Sequence, residues 1–154
     1  MNTGVGAGRA PSEEWLRFRA FMRRVDTDIV ASQLIRLSLT TDPGDEVLAA
    51  YDAPFPTPES KLGIVAFPEH VPVELDNPSA AKMNEVRDAL QLWEKPTLVL
   101  FSDKDPIFSP RDGERMAERI PGAGPAETIE GAGHFLQEDA GERIAERIAA
   151  WVSA

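Results

Sequence analysis

The sequence predicts an α/β fold in which a helical region precedes a short run of alternating strands and helices. Three observations carry this. Thr97-Leu98-Val99-Leu100-Phe101 is a nearly continuous apolar run entered through Pro96, the habit of a strand buried on both faces of a parallel sheet. An amphipathic stretch and a second short strand pattern near Glu127–Ile129 follow it, and another helical pattern closes the chain. From Ser12 to about Asp88, by contrast, the sequence shows helical spacings and proline-dense crossings. The change of pattern predicts two structural layers.

The bulk properties bound the function. At 154 residues the chain is long enough for one domain with a real core. A formal net charge of -10 argues against nucleic acid or an anionic membrane surface as partner, since either needs a basic face. With no cysteine there is no disulfide or thiolate chemistry, which allows a cytoplasmic location. No apolar run approaches the roughly 20 residues that span a bilayer. The glycine-rich MNTGVGAGRAPSEE has no apolar signal core, so export is not expected.

In chain order, residues 1–11 read as a flexible loop of a kind that normally leaves a strand. Ser12 caps a first helix whose first turn holds Glu13 and Glu14 and whose apolar face is Trp15, Phe18, Met22 and Val25. A second helix is expected over Ile29–Leu39. Thr41-Asp42-Pro43-Gly44 ends it and starts a third, with Val47, Leu48 and Tyr51 inward. Ala53-Pro54-Phe55-Pro56-Thr57-Pro58 can be neither helix nor central strand. A short helix near Glu59–Phe67 should stop before Pro68, and His70 to Asn77 reads as a loop. Pro78, after the cap candidate Asn77, should start a longer helix reaching Trp93. Gly113–Ile120 (GERMAERI) and Gly141–Ile148 (GERIAERI) nearly repeat and read as sheet-covering helices sharing one amphipathic solution. Trp93 and Trp151 are expected to pack.

Two parallel strands joined by a helix would leave edges and an apolar face bare. The chain therefore needs further strands, or it is a fragment.

The chemistry-bearing residues cluster at the strand ends. The first strand stops at Ser102-Asp103-Lys104-Asp105-Pro106, and the turn Gly131-Ala132-Gly133 follows the second and delivers His134. Both points lie at the carboxyl edge, where open α/β sheets place their sites. An acid and a histidine there match the acid and base members of a hydrolytic triad. Spacing does not separate Asp103 from Asp105, and either could instead form a turn. His70 reads as solvated. No Gly-x-Ser-x-Gly or Gly-x-Asp-x-Gly elbow and no phosphate-cradling loop occurs, and two histidines with scattered acids make no metal site. No cofactor is expected.

Five ordered motifs are familiar: Tyr51-Asp52-Ala53-Pro54-Phe55-Pro56, Phe67-Pro68 with Val71-Pro72, Trp93-Glu94-Lys95-Pro96, Phe101-Ser102-Asp103-Lys104-Asp105-Pro106-Ile107 and Gly133-His134-Phe135-Leu136-Gln137-Glu138-Asp139. With them the chain resembles, over essentially its whole length, the C-terminal part of haloalkane dehalogenases of the α/β-hydrolase fold. The resemblance implies a partial α/β-hydrolase fold. Residues 1–11 leave the sixth core strand, 12–88 form the helical cap domain, and 89–154 supply the last two parallel strands and their helices.

It also implies a mechanism. An elbow aspartate displaces halide from carbon to form an ester, and a histidine-activated water hydrolyses that ester. His134 matches the base and Asp105 the acid. The alternative acid position after the sixth strand is Asn2, which cannot serve. Phe67, Pro68, Val71, Ile107 and Phe108 match positions lining the cavity for a small apolar halogenated substrate. The partners implied are that substrate, water and the halide product. The elbow would lie upstream of Met1, so the chain alone is expected to be inactive and to need the N-terminal half of the fold. Relatives of this kind carry Phe then Trp one turn apart on the first cap helix, the indole N–H binding halide; here the order is Trp15 then Phe18. Halide binding then requires Trp15 to reach the cavity. An epoxide hydrolase is disfavoured because the one tyrosine, Tyr51, lies in a scaffold motif. A serine esterase and a non-catalytic truncated product or pseudoenzyme stay open.

Overall fold

The computed structural model describes residues 1–8 and 11–153. Residues 9, 10 and 154, which belong to the expected N-terminal loop and C-terminal segment, lie outside them. The chain forms two compact units. One comprises Met1–Gly4, Ser38–Pro43 and Asp88–Ala154, the other Val5–Leu37 and Gly44–Arg87. We call them the strand unit and the helical unit.

The helical unit is built from α1 (Glu13–Val25), α2 (Ala31–Leu37), α3 (Asp45–Asp52), α4 (Leu62–His70) and α5 (Ala80–Leu90). Ser12 caps α1 by accepting from the Trp15 amide at 3.2 Å, and Met22 is its buried anchor. The second helix is shorter than its spacing suggests. A 3-10 turn over Asp26–Asp28 precedes it, so Ile29 is buried ahead of the helix while Leu37 at its end is exposed. Pro68 does not stop α4, which runs on to His70. A proline in the last turn removes few helical hydrogen bonds, and its ring is among the most buried side chains of the chain. His70 thus ends a helix instead of lying in a loop, and it is solvent-exposed, as expected. Likewise α5 starts at Ala80 and ends at Leu90. Asn77 Oδ1 accepts from the Ser79 amide at 2.9 Å, a local turn that delays the helix, and Trp93 falls beyond it.

The strand unit holds β1 (Leu100–Ser102) and β2 (Glu127–Ile129), paired in parallel with Leu100 opposite Glu127 and Ser102 opposite Ile129. The apolar run began at Thr97, but Thr97 makes only an isolated bridge to Ala123. Between the strands lies α6 (Pro110–Arg119), started by a reciprocal capping box between Ser109 and Asp112. After β2 come α7 (Leu136–Asp139) and α8 (Gly141–Val152). Leu100, Ile129, Ala132, Leu136, Ala140 and Ile144 form one core cluster. Arg147 clamps α8 to β2 by a bidentate ion pair with Glu127 at 2.7 and 2.5 Å. No helix among the described residues is long and apolar enough to cross a membrane.

Two expectations about packing are corrected here. Trp93 is 42% exposed, with the Lys95 ammonium 5.1 Å from its ring centroid, and so does not cover the sheet. The two near-repeats do not share one solution either. The first fills the end of α6 and buries Gly113 and Ile120, whereas the second opens α8 and buries Ile144, leaving Ile148 exposed. A Cβ at Gly113 would stand 2.8 Å from the ring of Phe101, which is 1% exposed and cannot retreat; at Gly141 nothing lies within 4 Å.

The same substitution should therefore have opposite signs in the two repeats. Gly113→Ala gains about 1 kcal/mol of helix propensity but overpacks a rigid core, and a net loss of about 1–2 kcal/mol is expected. Gly141→Ala should stabilise by about 0.5 kcal/mol. Urea unfolding midpoints of the two variants check both signs.

Candidate functional site

Both strands of the strand unit end where chemistry becomes possible. Asp105 lies three residues past Ser102, the last residue of β1, and His134 five past Ile129, the last of β2. The Asp105 side chain is fully buried, and its Oδ2 meets His134 Nδ1 at 2.8 Å. Its Oδ1 accepts from the Ile107 amide at 2.7 Å, so the carboxylate forms a local turn and holds the ring at once. With Nδ1 donating to a carboxylate, the proton-free nitrogen is Nε2, on a ring that remains about a third exposed.

Asp103, which spacing left in competition, points elsewhere. It accepts from the Gly131 amide at 2.7 Å and pairs with Lys104 at 2.9 Å. The Lys104 hydrogen bond foremost, and the Gly131 amide after it, hold its carboxyl below the usual range despite some burial. It shapes the turn before His134 and does not touch the ring.

Aromatic side chains frame the imidazole. Phe108 stacks on it at 6.1 Å and 16°, and Phe135 meets it edge-on at 5.3 Å. Phe101 supports Phe108 edge-on at 6.4 Å, and Ile107 beside it is half-buried. The remaining candidates belong to the helical unit. Trp15 and Phe18 lie 5.6 Å apart on α1, both half-buried. The Trp15 indole nitrogen is buried with no hydrogen-bond partner among the described residues. Phe67 is 63% exposed on α4, Pro68 is buried there, and Val71, which ends that helix, is half-buried. No group of three metal-ligating side chains occurs among the described residues.

The main chain of the histidine turn is held from two sides by residues to which the sequence reading gives no such role. On one side, Asn2 and the fully buried Ser102 hydrogen-bond to it. On the other, the span Ser38–Pro43 is stitched to it. The His134 amide donates to the Ser38 carbonyl at 2.9 Å, and the Thr40 hydroxyl donates to the Gly131 carbonyl at 2.5 Å. Ser38 comes so close that a Cβ on Gly133 would collide with its carbonyl oxygen, which explains the glycine. Asp139 completes the seam, accepting from the amides of Gly133 (2.8 Å), Thr40 (3.1 Å) and Thr41 (2.9 Å) and from the Thr41 hydroxyl (2.6 Å). Burial alone would raise its carboxyl, but these donors, the Thr41 hydroxyl first, outweigh it and hold it below the ordinary carboxylate range. A signal for Asp139 was present in the Gly-His-Phe-Leu-Gln-Glu-Asp motif; for Thr40 and Thr41 there was none.

A carboxyl held low in the folded state stabilises at neutral pH. That contribution is lost as pH falls from about 4, where the unfolded chain starts to bind the proton, through the lower folded value. Asp139→Ala leaves the buried Gly133 amide unpaired and should cost about 1–3 kcal/mol at pH 7. The gap between variant and wild type should narrow below about pH 4. Urea titrations at pH 7 and pH 3.5 test the sign.

No family model matches the chain. A haloalkane dehalogenase of Mycobacterium marinum is 38% identical over 94% of the chain and 48% of its own length. Haloalkane dehalogenase 1 of Mycobacterium tuberculosis is 37% identical over 96% of the chain and 48% of its own length. Among solved structures, the ancestral haloalkane dehalogenase AncHLD2 superposes with a TM-score of 0.81 at 25% identity, over 96% of this chain and 56% of that one. The haloalkane dehalogenase DpaA of Paraglaciecola agarilytica shares the fold with a TM-score of 0.84 at 23% identity, over 96% and 49%. The chain spans about half the length of the curated relatives it matches. The chain has a partial α/β-hydrolase fold and is similar, over nearly its whole length, to about half of each of these haloalkane dehalogenases.

Proposed function

We propose that this protein takes part in hydrolytic dehalogenation, with His134 as the general base and Asp105 as the acid that orients it. The single observation behind this reading is the 2.8 Å bond between the buried Asp105 carboxylate and His134 Nδ1 beyond two adjacent parallel strands. That bond fixes the ring and leaves Nε2 to take a proton from water. In the family's chemistry, an aspartate carboxylate attacks the carbon, the carbon–halogen bond breaks, and halide departs with the bonding pair. The activated water then adds to the ester carbonyl, releasing alcohol and restoring the carboxylate. Because the chain spans about half of its relatives, we assign the attacking aspartate to sequence outside these 154 residues.

In this reading residues 12–88 are the cap and 89–154 the C-terminal core, with Ser38–Pro43 lent by the cap sequence to the strand unit. Ile107 and Phe108, beside His134 in the strand unit, are assigned to apolar substrate contact, and Phe67, Pro68 and Val71 of the helical unit are each assigned the same kind of contact. Trp15 is assigned the halide. A buried indole N–H without an acceptor is a standing cost, and a halide ion would relieve it. Phe18, which has no donor, takes the packing role.

Fusing the N-terminal half of the Mycobacterium marinum relative ahead of this chain should restore bromide release from 1,2-dibromoethane. The 154-residue chain alone should release none. In the fusion, His134→Ala should lower the rate about a thousandfold or more, and Trp15→Phe should weaken saturable quenching of indole fluorescence by bromide. Halide release by the isolated chain, or full activity in His134→Ala, would sink the proposal.

A further inference from the structure

Asn2 stands where the main chain turns into the left-handed region, at φ 27°, a conformation that asparagine tolerates better than most residues. The turn aims its carboxamide at two segments at once. Its Oδ1 accepts from the Ser102 amide at 2.9 Å. Its Nδ2 lies 2.7 Å from the Ser102 hydroxyl and 3.1 Å from the carbonyls of both Gly133 and His134. The Ser102 hydroxyl donates in turn to the Gly133 carbonyl at 2.7 Å, so this buried serine both accepts and donates. Ser102 ends β1, three residues before Asp105, whereas Gly133 and His134 are the turn that carries the imidazole.

We propose that Asn2 is a positioning residue for the Asp105–His134 pair, joining the strand end that sets the carboxylate to the main chain that sets the ring. This rests on the reading of those two residues as acid and base. A carboxamide is the side chain that fits, because the site demands one acceptor and a forked donor in one plane. Aspartate would turn a carboxylate oxygen against two carbonyls, and leucine of the same shape would leave the Ser102 amide without a partner. The bonds of Asn2 do not touch the imidazole itself, so its effect on the ring is indirect.

The test reads the ring, not turnover. In the 154-residue chain with nitrogen-15 histidine, the ring nitrogen shifts report which nitrogen of neutral His134 carries the proton, and the Nδ1–H form is expected to dominate. Asn2→Leu should lower the ratio of Nδ1–H to Nε2–H by about tenfold, as loss of roughly one hydrogen bond would do. The methyl signals of Leu136 and Ile144 should stay in place, and Asn2→Gln should recover part of the ratio. A ratio equal to wild type in Asn2→Leu overturns the inference even if the melting temperature falls, since that is a purely structural role. Should Asn2→Leu fail to fold, Ser102→Ala removes only the hydroxyl arm and should shift the ratio in the same direction; no shift overturns the inference. Asp105→Asn separates the two ideas. If it leaves the ratio unchanged, the acid–base reading fails and the Asn2 inference falls with it. If Asp105→Asn shifts the ratio and Asn2→Leu does not, only the Asn2 inference is lost.

Discussion

A carboxyl side chain with no exposure to water needs hydrogen bonds on both oxygens, and Asp105 obtains them from its own turn and from His134. Much of the strand unit can be understood as what is required to keep that arrangement. β1 and β2 must run in parallel so that both turns emerge at one edge. Gly133 must lack a side chain so that Ser38 can approach. Phe101 must be immobile, since it braces Phe108, which in turn stacks on the imidazole. Each of these is a packing or backbone constraint, and together they restrain one ring.

Main-chain anchoring and side-chain anchoring divide the task. Asp105 decides which nitrogen of His134 holds the proton. Asn2, Ser102, Asp139, Thr40 and Thr41 decide where the peptide carrying that ring lies. The second group comes from four regions of the sequence, three of them far from the turn, so the turn is fixed largely by contacts of long range. Local preference alone would leave a glycine-rich segment such as Gly131-Ala132-Gly133 poorly determined.

That division also explains what could be read from the sequence. The second strand, the turn glycines, and the presence of a carboxylate and a histidine past two parallel strands were legible, because apolar runs and punctuation by glycine and proline are local signals. β2 fell at Glu127–Ile129 as its pattern indicated. The choice between Asp103 and Asp105 was not legible from spacing. Both follow one strand, and only the fold shows that one meets an amide and the other an imidazole. Helix ends were misjudged where a local rule met a competing contact, as at Pro68, whose buried ring lies within α4. The equivalence of the two GERxAERI repeats failed for a related reason: identical letters were placed at opposite ends of their helices. In the sequence Asn2 stands only at an acid position that it cannot fill, and its value as a forked linker depends on partners a hundred or more residues away.

The hexapeptide Ser38–Pro43 has a consequence for how such proteins can be recombined. It interrupts the helical unit in sequence yet belongs to the strand unit, where it grips the histidine turn. Exchanging the whole span between two homologues as one module would therefore import a foreign clamp onto the imidazole peptide. A chimera that keeps these six residues native, and joins its crossovers on either side of them, separates the exchange of the helical unit from the integrity of the histidine turn.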